Sequence, residues 1–301
     1  MKINYTAIIL TALALVGLTI YRLLTPDDYL MILSKPDHHS NCYFAESSDG
    51  LHWNMINASS PVNIPLPDHA SEIQIFKESS HRYDVLHRSE GYLMLTYSDN
   101  LISWDNPRLI ESHIGSEIDF SGMNKIRVLY QNRESLNIFC VRNNKTDTDV
   151  LLFRVTDNKI SDPPLEILHL AHRIMDLQCM KLDKIYVLAL MREDSVSKSM
   201  QMDFYQSGIA DSNWTHVSDL KTDFTDWTET VALQKNNREF WLYGKQNRII
   251  SVKQDRETNL VTSEILAEKS DFSSDYVMRS GLKLRRDVMK KLKEQFKNPK
   301  L

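Results

Sequence analysis

Residues 46–55 read ESSDGLHWNM, and the string Ser47-x-Asp49-Gly50-x-x-Trp53 inside them decides the fold. Asp and Gly favour a tight turn, because an Asp side chain bonds the backbone ahead of it and Gly tolerates a positive φ. Related strings recur at intervals of 47–58 residues and end at Trp104, Asp162, Trp214 and Val261. The quoted stretch is therefore one member of a repeat, and we expect its tryptophan to wedge between neighbouring units.

A second marker has the same period. Five strand-like runs, rich in β-branched, aromatic and aliphatic residues, each end in a basic residue. These ends are spaced 50–54 residues apart: Lys35, Arg88, Arg142, Arg192 and Lys245. Further apolar runs around each one give three or four short strands per unit. Five such units predict an all-β, five-bladed β-propeller, and the period shared by two markers argues against a generic β-sandwich.

The propeller is predicted to span residues 26–281. Its first unit lacks an innermost strand, and residues 273–281 (SSDYVMRSG) resemble the missing piece, so we expect this strand to complete blade one. Residues 282–301 are predicted to form a short basic amphipathic helix with an apolar stripe at Leu284, Val288, Leu292 and Phe296. Two roles remain open for the helix. It packs on the propeller rim with a solvated basic face, which we favour, or it contacts anionic lipid headgroups.

The N-terminal residues 1–25 are interpreted as a membrane anchor or signal segment. Residues 3–21 contain nineteen uncharged residues, a length that as a helix spans roughly 28 Å, close to the hydrocarbon thickness of a bilayer. Small residues are poorly placed for cleavage after this run, which favours an uncleaved anchor over a removed signal peptide. This interpretation places the propeller on the extracytoplasmic side, in a periplasm, at a cell surface or in a lumen. If the segment is cleaved, the protein is secreted.

The composition narrows the functional classes. A net charge of −4 and basic residues without interleaved aromatics argue against a nucleic-acid partner. The three cysteines match no metal-ligand spacing, and no phosphate-binding loop or zinc motif is present, so we predict no metal and no cofactor.

The short form of the turn motif, in five units, resembles the five-bladed propellers of the arabinanase, β-xylosidase and levanase type of glycoside hydrolase. The resemblance covers roughly residues 27–281 and concerns architecture. It implies three carboxylates at the heads of the innermost strands: an Asp as general base, a Glu as general acid and a second Asp that tunes the acid. Inverting hydrolysis requires two carboxyl groups roughly 6.5–9.5 Å apart.

Six acidic residues stand at or near the predicted strand heads: Glu72, Glu117, Asp119, Asp176, Glu229 and Asp275. Asp275 alone fits the place of the base, whereas Glu229 and Glu117 both fit that of the acid. The family's base stands on an N-terminal strand of blade one beside a proline, and Asp27 and Asp28 match this poorly. The alternative is that the acidic heads only neutralise nearby arginines.

The five basic strand ends are expected to ring the same face as the acidic heads. Where they are unpaired they favour an acidic sugar, since arginine binds carboxylate bidentately. His172 and Arg173 add donors, and Trp227 suits stacking on a sugar ring. Together with the five basic ends, these residues are the predicted substrate-binding set.

Three functions compete. The first is an exported, membrane-anchored, glycoside hydrolase-like propeller that acts on or binds a polysaccharide, by inverting acid–base hydrolysis if it is active. The second is a non-catalytic propeller that binds glycan or protein, which predicts that every acidic head is bridged by a cation. The third is a membrane-tethered structural domain whose partner docks on the basic helix.

Overall fold

The computed structural model describes residues 27–297 apart from 37, 59, 68, 80–81, 114, 116, 133–134, 162, 195–198, 223–228, 245–247, 267–270 and 272–275. The predicted anchor segment, residues 1–25, lies outside the described residues. Within the described ranges, no helix has the length and apolar character that a membrane crossing requires.

The described strands form five sheets, antiparallel except for one two-residue parallel pairing in the third, and these sheets are the five predicted blades. The first sheet begins with β1 (Asp27–Lys35), β2 (His38–Ser47), β3 (Asn54–Met55) and β4 (Val62–Asn63). The second contains β5 (Ser71–Ser79), β6 (Arg82–Ser89), β7 (Tyr92–Ser98) and β8 (Arg108–Leu109). The third contains β9 (Glu111–Ser112), β10 (Lys125–Asn132), β11 (Ser135–Asn143), β12 (Thr148–Thr156), β13 (Lys159–Ile160) and β14 (Leu165–Leu170).

The last two sheets repeat the four-stranded pattern. Blade four contains β15 (Asp176–Leu182), β16 (Ile185–Glu193), β17 (Met200–Ser207) and β18 (Thr215–Lys221). Blade five contains β19 (Val231–Asn236), β20 (Glu239–Tyr243), β21 (Ile249–Gln254) and β22 (Val261–Ile265). The all-β, five-bladed architecture predicted from the two sequence markers is therefore confirmed.

The C-terminal strand β23 (Val277–Arg285) pairs antiparallel with β1 and is the innermost strand of blade one. The register runs from Asp27 opposite Arg285 to Ser34 opposite Val277. Ser280, Leu282 and Leu284 alternate as buried residues, and this period of two extends the strand to Arg285. The prediction that a helix occupies residues 282–301 is wrong at its start. The helix, α1, spans Arg286–Lys297, and Leu284 belongs to the strand.

Helix α1 packs on the rim of blade one. Met289 and Leu292 are buried in the apolar cluster between blades one and two, and Phe296 meets Phe44 edge-on at 6.1 Å between ring centroids. The Lys293 ammonium lies 2.5 Å from the Glu46 carboxylate. The opposite face of the helix is basic and exposed. Rim packing, the favoured role, is therefore observed.

Five apolar clusters fill the five junctions between neighbouring blades. In the junction of blades one and two, for example, Ile32 and Phe44 meet Ile75 and Val85. Each strand of a blade turns alternate side chains to the blades on its two sides, so both sheet faces are buried. The three cysteines are free and buried in three different junctions: Cys42, Cys140 and Cys179.

The turn motif that opened the sequence has a defined hydrogen-bond pattern. The Ser47 hydroxyl accepts the Gly50 N–H at 2.8 Å, and Asp49 accepts two further backbone N–H groups ahead of it. Gly50 has a φ of 81°, and the Trp53 indole donates to its carbonyl at 3.1 Å. Ser98, Asn100 and Trp104 repeat this pattern. Trp53 packs in the junction of blades five and one, as predicted.

Candidate functional site in the axial channel

The five inner strands surround an axial channel of about 350 Å³. Those strands are β5, β10, β15, β19 and β23. The end of the channel where these strands begin is called the mouth. The opposite end, where the strands finish, is called the base. The antiparallel register places the end of each second strand at the mouth, as when Ser71 stands opposite Arg88.

Arg127, on the inner strand of blade three, joins two of the acidic heads. Its guanidinium donates to Glu72 of blade two at 3.0 Å and to Asp176 of blade four at 2.8 Å. All three groups are shielded from water: the side chains of Arg127, Glu72 and Asp176 are 13%, 10% and 1% exposed. One cation therefore holds two carboxylates from the blades on either side of it.

Lys125 makes the second bridge at the mouth. Its ammonium lies 3.2 Å from the Glu229 carboxylate of blade five and 3.8 Å from that of Glu72. Glu229 is the most accessible of the three described heads, with a side chain that is 48% exposed. The heads from blades two, four and five are thus all ion-paired to the two cations of blade three.

The two buried heads also cap the backbone of the next inner strand. Glu72 accepts the Ile126 N–H at 3.2 Å, and Asp176 accepts both the N–H and the hydroxyl of Thr230, at 2.7 and 2.6 Å. The unpaired edge of an inner strand faces the channel, where an unsatisfied N–H is costly. Each of these two acidic residues therefore bonds its own blade to the following blade, which accounts for their recurrence at the period of the blades.

Glutamines two positions after these acidic residues also make hydrogen bonds across blade boundaries. The Gln74 amide accepts the Val128 N–H at 2.7 Å and donates to the Val128 carbonyl at 3.2 Å. Gln178 donates to the Thr230 carbonyl at 2.6 Å. The inner wall of the channel is therefore fixed by side chains that bond across blade boundaries.

Glu229 does not have the protonation that a general acid requires. Burial raises the pKa of its carboxyl, but the positive charges of Lys125, Arg279 and Arg127 outweigh burial and lower the pKa below its usual value. A glycosidase acid requires the opposite shift, since it must hold its proton near neutral pH. Glu229 is therefore an ionised hydrogen-bond acceptor at the mouth.

Glu117 and Asp119 lie outside the channel lining, in the loop that connects blades two and three. Both are exposed. The Ser121 N–H and hydroxyl bond to Asp119 at 2.7 and 2.8 Å and lower the pKa of its carboxyl. Arg88 supports this loop by donating to the carbonyls of Phe120 and Met123. The two carboxylates are therefore not brought together with the inner-strand heads.

The other basic strand ends bond within their own blades. Arg142 pairs with Asp149 at 2.8 Å, and Arg192 pairs with Asp203 at 2.7 Å. Lys35 lies 5.7 Å from the centroid of the Tyr43 ring. None of these cations lines the channel. Arg142 and Arg192 are therefore paired with carboxylates that the sequence patterns did not single out, whereas Lys35 lies beside an aromatic ring.

The remaining predicted binding residues are divided. The His172 imidazole lies 3.6 Å from Asp203, and burial together with the charge of Arg192 lowers its pKa. Arg173 is exposed at the mouth. The other predicted residues lie outside the described ranges: Lys245, Trp227 and Asp275.

Sequence reasoning missed the cations that organise the site. Lys125-x-Arg127 stands on β10 where β5 has Glu72-x-Gln74 and β15 has Asp176-x-Gln178, so the alignment of inner strands contained the signal. Arg279 of β23 also lines the channel, and it donates to the Ser34 hydroxyl at 2.8 Å.

One group of side chains has the spacing of a metal site. Ligand atoms of Asp149, Glu166 and His169 lie within 4.8 Å of one another. Arg142 and His169 already bond the two oxygens of Asp149, at 2.8 Å each. The Asp149 carboxylate is therefore engaged by a guanidinium, and we assign no metal to this group.

Solved structures that resemble this fold include glycoside hydrolases. A Bacteroides thetaiotaomicron structure described as an endo-1,4-β-xylanase matches 82% of this chain and 93% of its own, with 10% identity and a TM-score of 0.54. A Phanerochaete chrysosporium exo-β-1,3-galactanase with β-1,3-galactotriose matches 82% of this chain, with 8% identity and a TM-score of 0.50. The match spans 63% of that galactanase chain, less than two thirds of its length.

The resemblance in architecture that was drawn from the turn motif is therefore confirmed. No family model matches the sequence, and no curated protein matches it. Identities this low show a shared fold and leave the chemistry to be argued from the site.

Proposed function

We propose that this protein is a non-hydrolytic carbohydrate-binding propeller that receives a sugar at the mouth of its axial channel. In this proposal the N-terminal segment anchors the propeller on the extracytoplasmic side of a membrane. Support comes from the fold, which hydrolases with a xylanase or galactanase description share, and from the size and polarity of the channel. A cavity of about 350 Å³ falls in the range of small-ligand sites.

The observation that carries the proposal is the ion pairing of the heads. Inverting hydrolysis requires one protonated carboxyl group and one free carboxylate that activates water. Glu72 and Asp176 are bound to Arg127 and to backbone or side-chain groups of neighbouring blades. Glu229, the accessible head, is paired with Lys125 and has a lowered pKa. Among the described heads, no carboxyl group is left for the role of acid.

The same groups suit recognition of hydroxyl groups. The half-exposed Glu229 carboxylate accepts hydrogen bonds, and Lys125 and Arg279 beside it donate them. Hydrogen bonds to charged groups contribute about 1.5–3 kcal/mol each, so a sugar that meets several of them binds measurably. The hydrogen bonds and ion pairs between the inner strands hold these groups in fixed positions before any ligand binds.

The proposal is tested by measuring binding and bond cleavage on the same samples. The full chain in detergent is titrated by calorimetry with soluble xylan, β-1,3-galactan, arabinan and polygalacturonate oligosaccharides, and reducing ends are counted after long incubation. We expect saturable binding of at least one of these and no release of reducing ends. Glu229→Gln should weaken binding about tenfold, the equivalent of 1.4 kcal/mol. Asp119→Asn, outside the channel, is the matched control and should bind as the unchanged protein does.

Two results would overturn the proposal. Release of reducing ends that Glu229→Gln abolishes would make the protein a hydrolase, with Glu229 in the reaction. Failure to bind any of the four oligosaccharide classes, by a chain with a cooperative melting transition, would count against carbohydrate as the ligand.

A further inference from the structure

We infer that the base of the propeller faces an anionic lipid surface, with helix α1 against the headgroups and the channel mouth pointing away from the membrane. The inference goes beyond sugar binding and rests on the proposed N-terminal anchor. It is carried by where the chain enters the fold and by the charge of α1.

The chain enters at the base. Asp27, the first residue of β1, stands opposite Arg285, the last residue of β23, so the N-terminal end of β1 and the start of α1 adjoin. The Arg286 guanidinium lies 3.3 Å from the Asp28 carboxylate at this point. The other end of β1 pairs with the start of β23 at the mouth. An N-terminal tether therefore pulls on the base of blade one.

The tether is short. Five residues, 22–26, separate the uncharged stretch 3–21 from Asp27. Even fully extended, five residues reach only about 17 Å. An inner strand of nine residues such as β23 is about 30 Å long, so the mouth lies that much further from the point of attachment than the base does. If residues 3–21 are in a bilayer, the base must lie close to it.

Helix α1 presents positive charge on this face. Its twelve residues include five cations and two acids: Arg286, Lys290, Lys291, Lys293, Lys297, Asp287 and Glu294. The apolar side of the helix packs against blade one, so its basic side faces outward. Lys291 and Lys297 are exposed and have no described carboxylate within ion-pairing distance.

Two acidic residues at the base already have bonding partners. Glu46 is paired with Lys293, and Asp49 bonds the N–H groups of its own turn and the His52 imidazole. An anionic bilayer attracts nearby cations, and the attraction falls off within a Debye length. The unpaired lysines of α1, held near the membrane by the tether, fit such a surface.

The inference is tested by lipid proximity from two sites. All three native cysteines are buried, so a thiol-reactive donor dye labels Gln295→Cys, exposed on α1 at the base, or Arg173→Cys at the mouth. Each full-length variant is reconstituted into phosphatidylcholine vesicles containing an acceptor-labelled lipid, with or without phosphatidylglycerol. We expect strong energy transfer from position 295 and weak transfer from position 173. Phosphatidylglycerol should increase the former, and added salt should reverse that increase.

The charge of α1 is tested separately. Lys291→Gln with Lys297→Gln should remove the phosphatidylglycerol effect at position 295, whereas Lys145→Gln, in the exposed β11–β12 hairpin at the mouth, should leave it unchanged. Equal transfer from both sites, or stronger transfer from the mouth, would overturn the orientation. Strong transfer from position 295 without any phosphatidylglycerol effect would overturn the role of α1.

Failure of the anchor itself is distinguished by vesicle flotation. A chain that does not float with vesicles lacks the anchor, and the inference fails with it. None of these readouts involves a sugar, so they are independent of whether the proposed binding function holds.

Discussion

Replacing Arg127 with methionine should be among the most destabilising single changes in the channel. The substitution keeps most of the side-chain volume and removes the one cation that the described residues place within ion-pairing distance of Asp176, whose side chain is 1% exposed. Glu72, 10% exposed, keeps the Ile126 N–H at 3.2 Å and, as its remaining cation among the described residues, Lys125 at 3.8 Å. Removing one member of a buried ion pair costs about 3–5 kcal/mol, because the remaining charge stays buried without a partner. For a protein of this size that lowers the melting temperature by about 10 °C.

The reasoning is checked by calorimetry and denaturant unfolding at neutral pH. The control is Arg154→Met in the same blade, since the ion pair of Arg154 with Asp211 is largely exposed and should contribute less than about 1 kcal/mol. Adding Glu72→Gln and Asp176→Asn to Arg127→Met should recover most of the loss, because the buried charges are then gone. If Arg127→Met costs no more than Arg154→Met, the bridge does not hold the inner strands together and our account of the acidic heads is wrong.

Two further predictions concern buried positions of blades two and one. His87 is fully buried, no group in the described part of the chain bonds either ring nitrogen, and burial lowers its pKa from 6.5 to about 4. The unfolded state therefore binds the proton first, and stability relative to His87→Leu should fall by up to roughly 3 kcal/mol between pH 7 and pH 4. A pH-independent difference in urea unfolding would refute this. Gly50→Ala would place a Cβ 2.5 Å from the Trp241 ring at a φ of 81° and should cost about 2–4 kcal/mol. Gly208→Ala, where nothing lies within 4 Å, should change the melting temperature little, and equal losses at both glycines would contradict the packing argument.

The architecture could be predicted from the sequence because it depends on local residue patterns. Turn residues and strand ends repeat at about the length of one blade, and each marker depends only on its immediate neighbours. The start of α1 was misplaced for a physical reason. Leu284 fits both the two-residue alternation with Leu282 and the four-residue spacing to Val288, and only the pairing with β1 decides between them.

The roles of the acidic heads could not be read in this way. A carboxylate at a strand head suits acid–base chemistry and backbone capping equally well. The role of each carboxylate is decided by the group that it bonds. That group, Arg127, is 55 residues from Glu72 and 49 from Asp176 along the chain. Glu117 and Asp119 were grouped with the heads on the assumption of an extended strand, but they fall in a loop.

The pairing of β1 with β23 also has a consequence for biosynthesis. Blades two to five are each made of consecutive segments, so each can assemble as it leaves the ribosome. Blade one cannot, since β23, its innermost strand, is the last strand to be translated. Until then Leu30, Ile32 and the edge of β1 lack their neighbour, in a state prone to pairing with another chain. A stalled or truncated product that lacks the final strand should therefore be recognised by chaperones and proteases as incomplete, even though four of its five blades are whole.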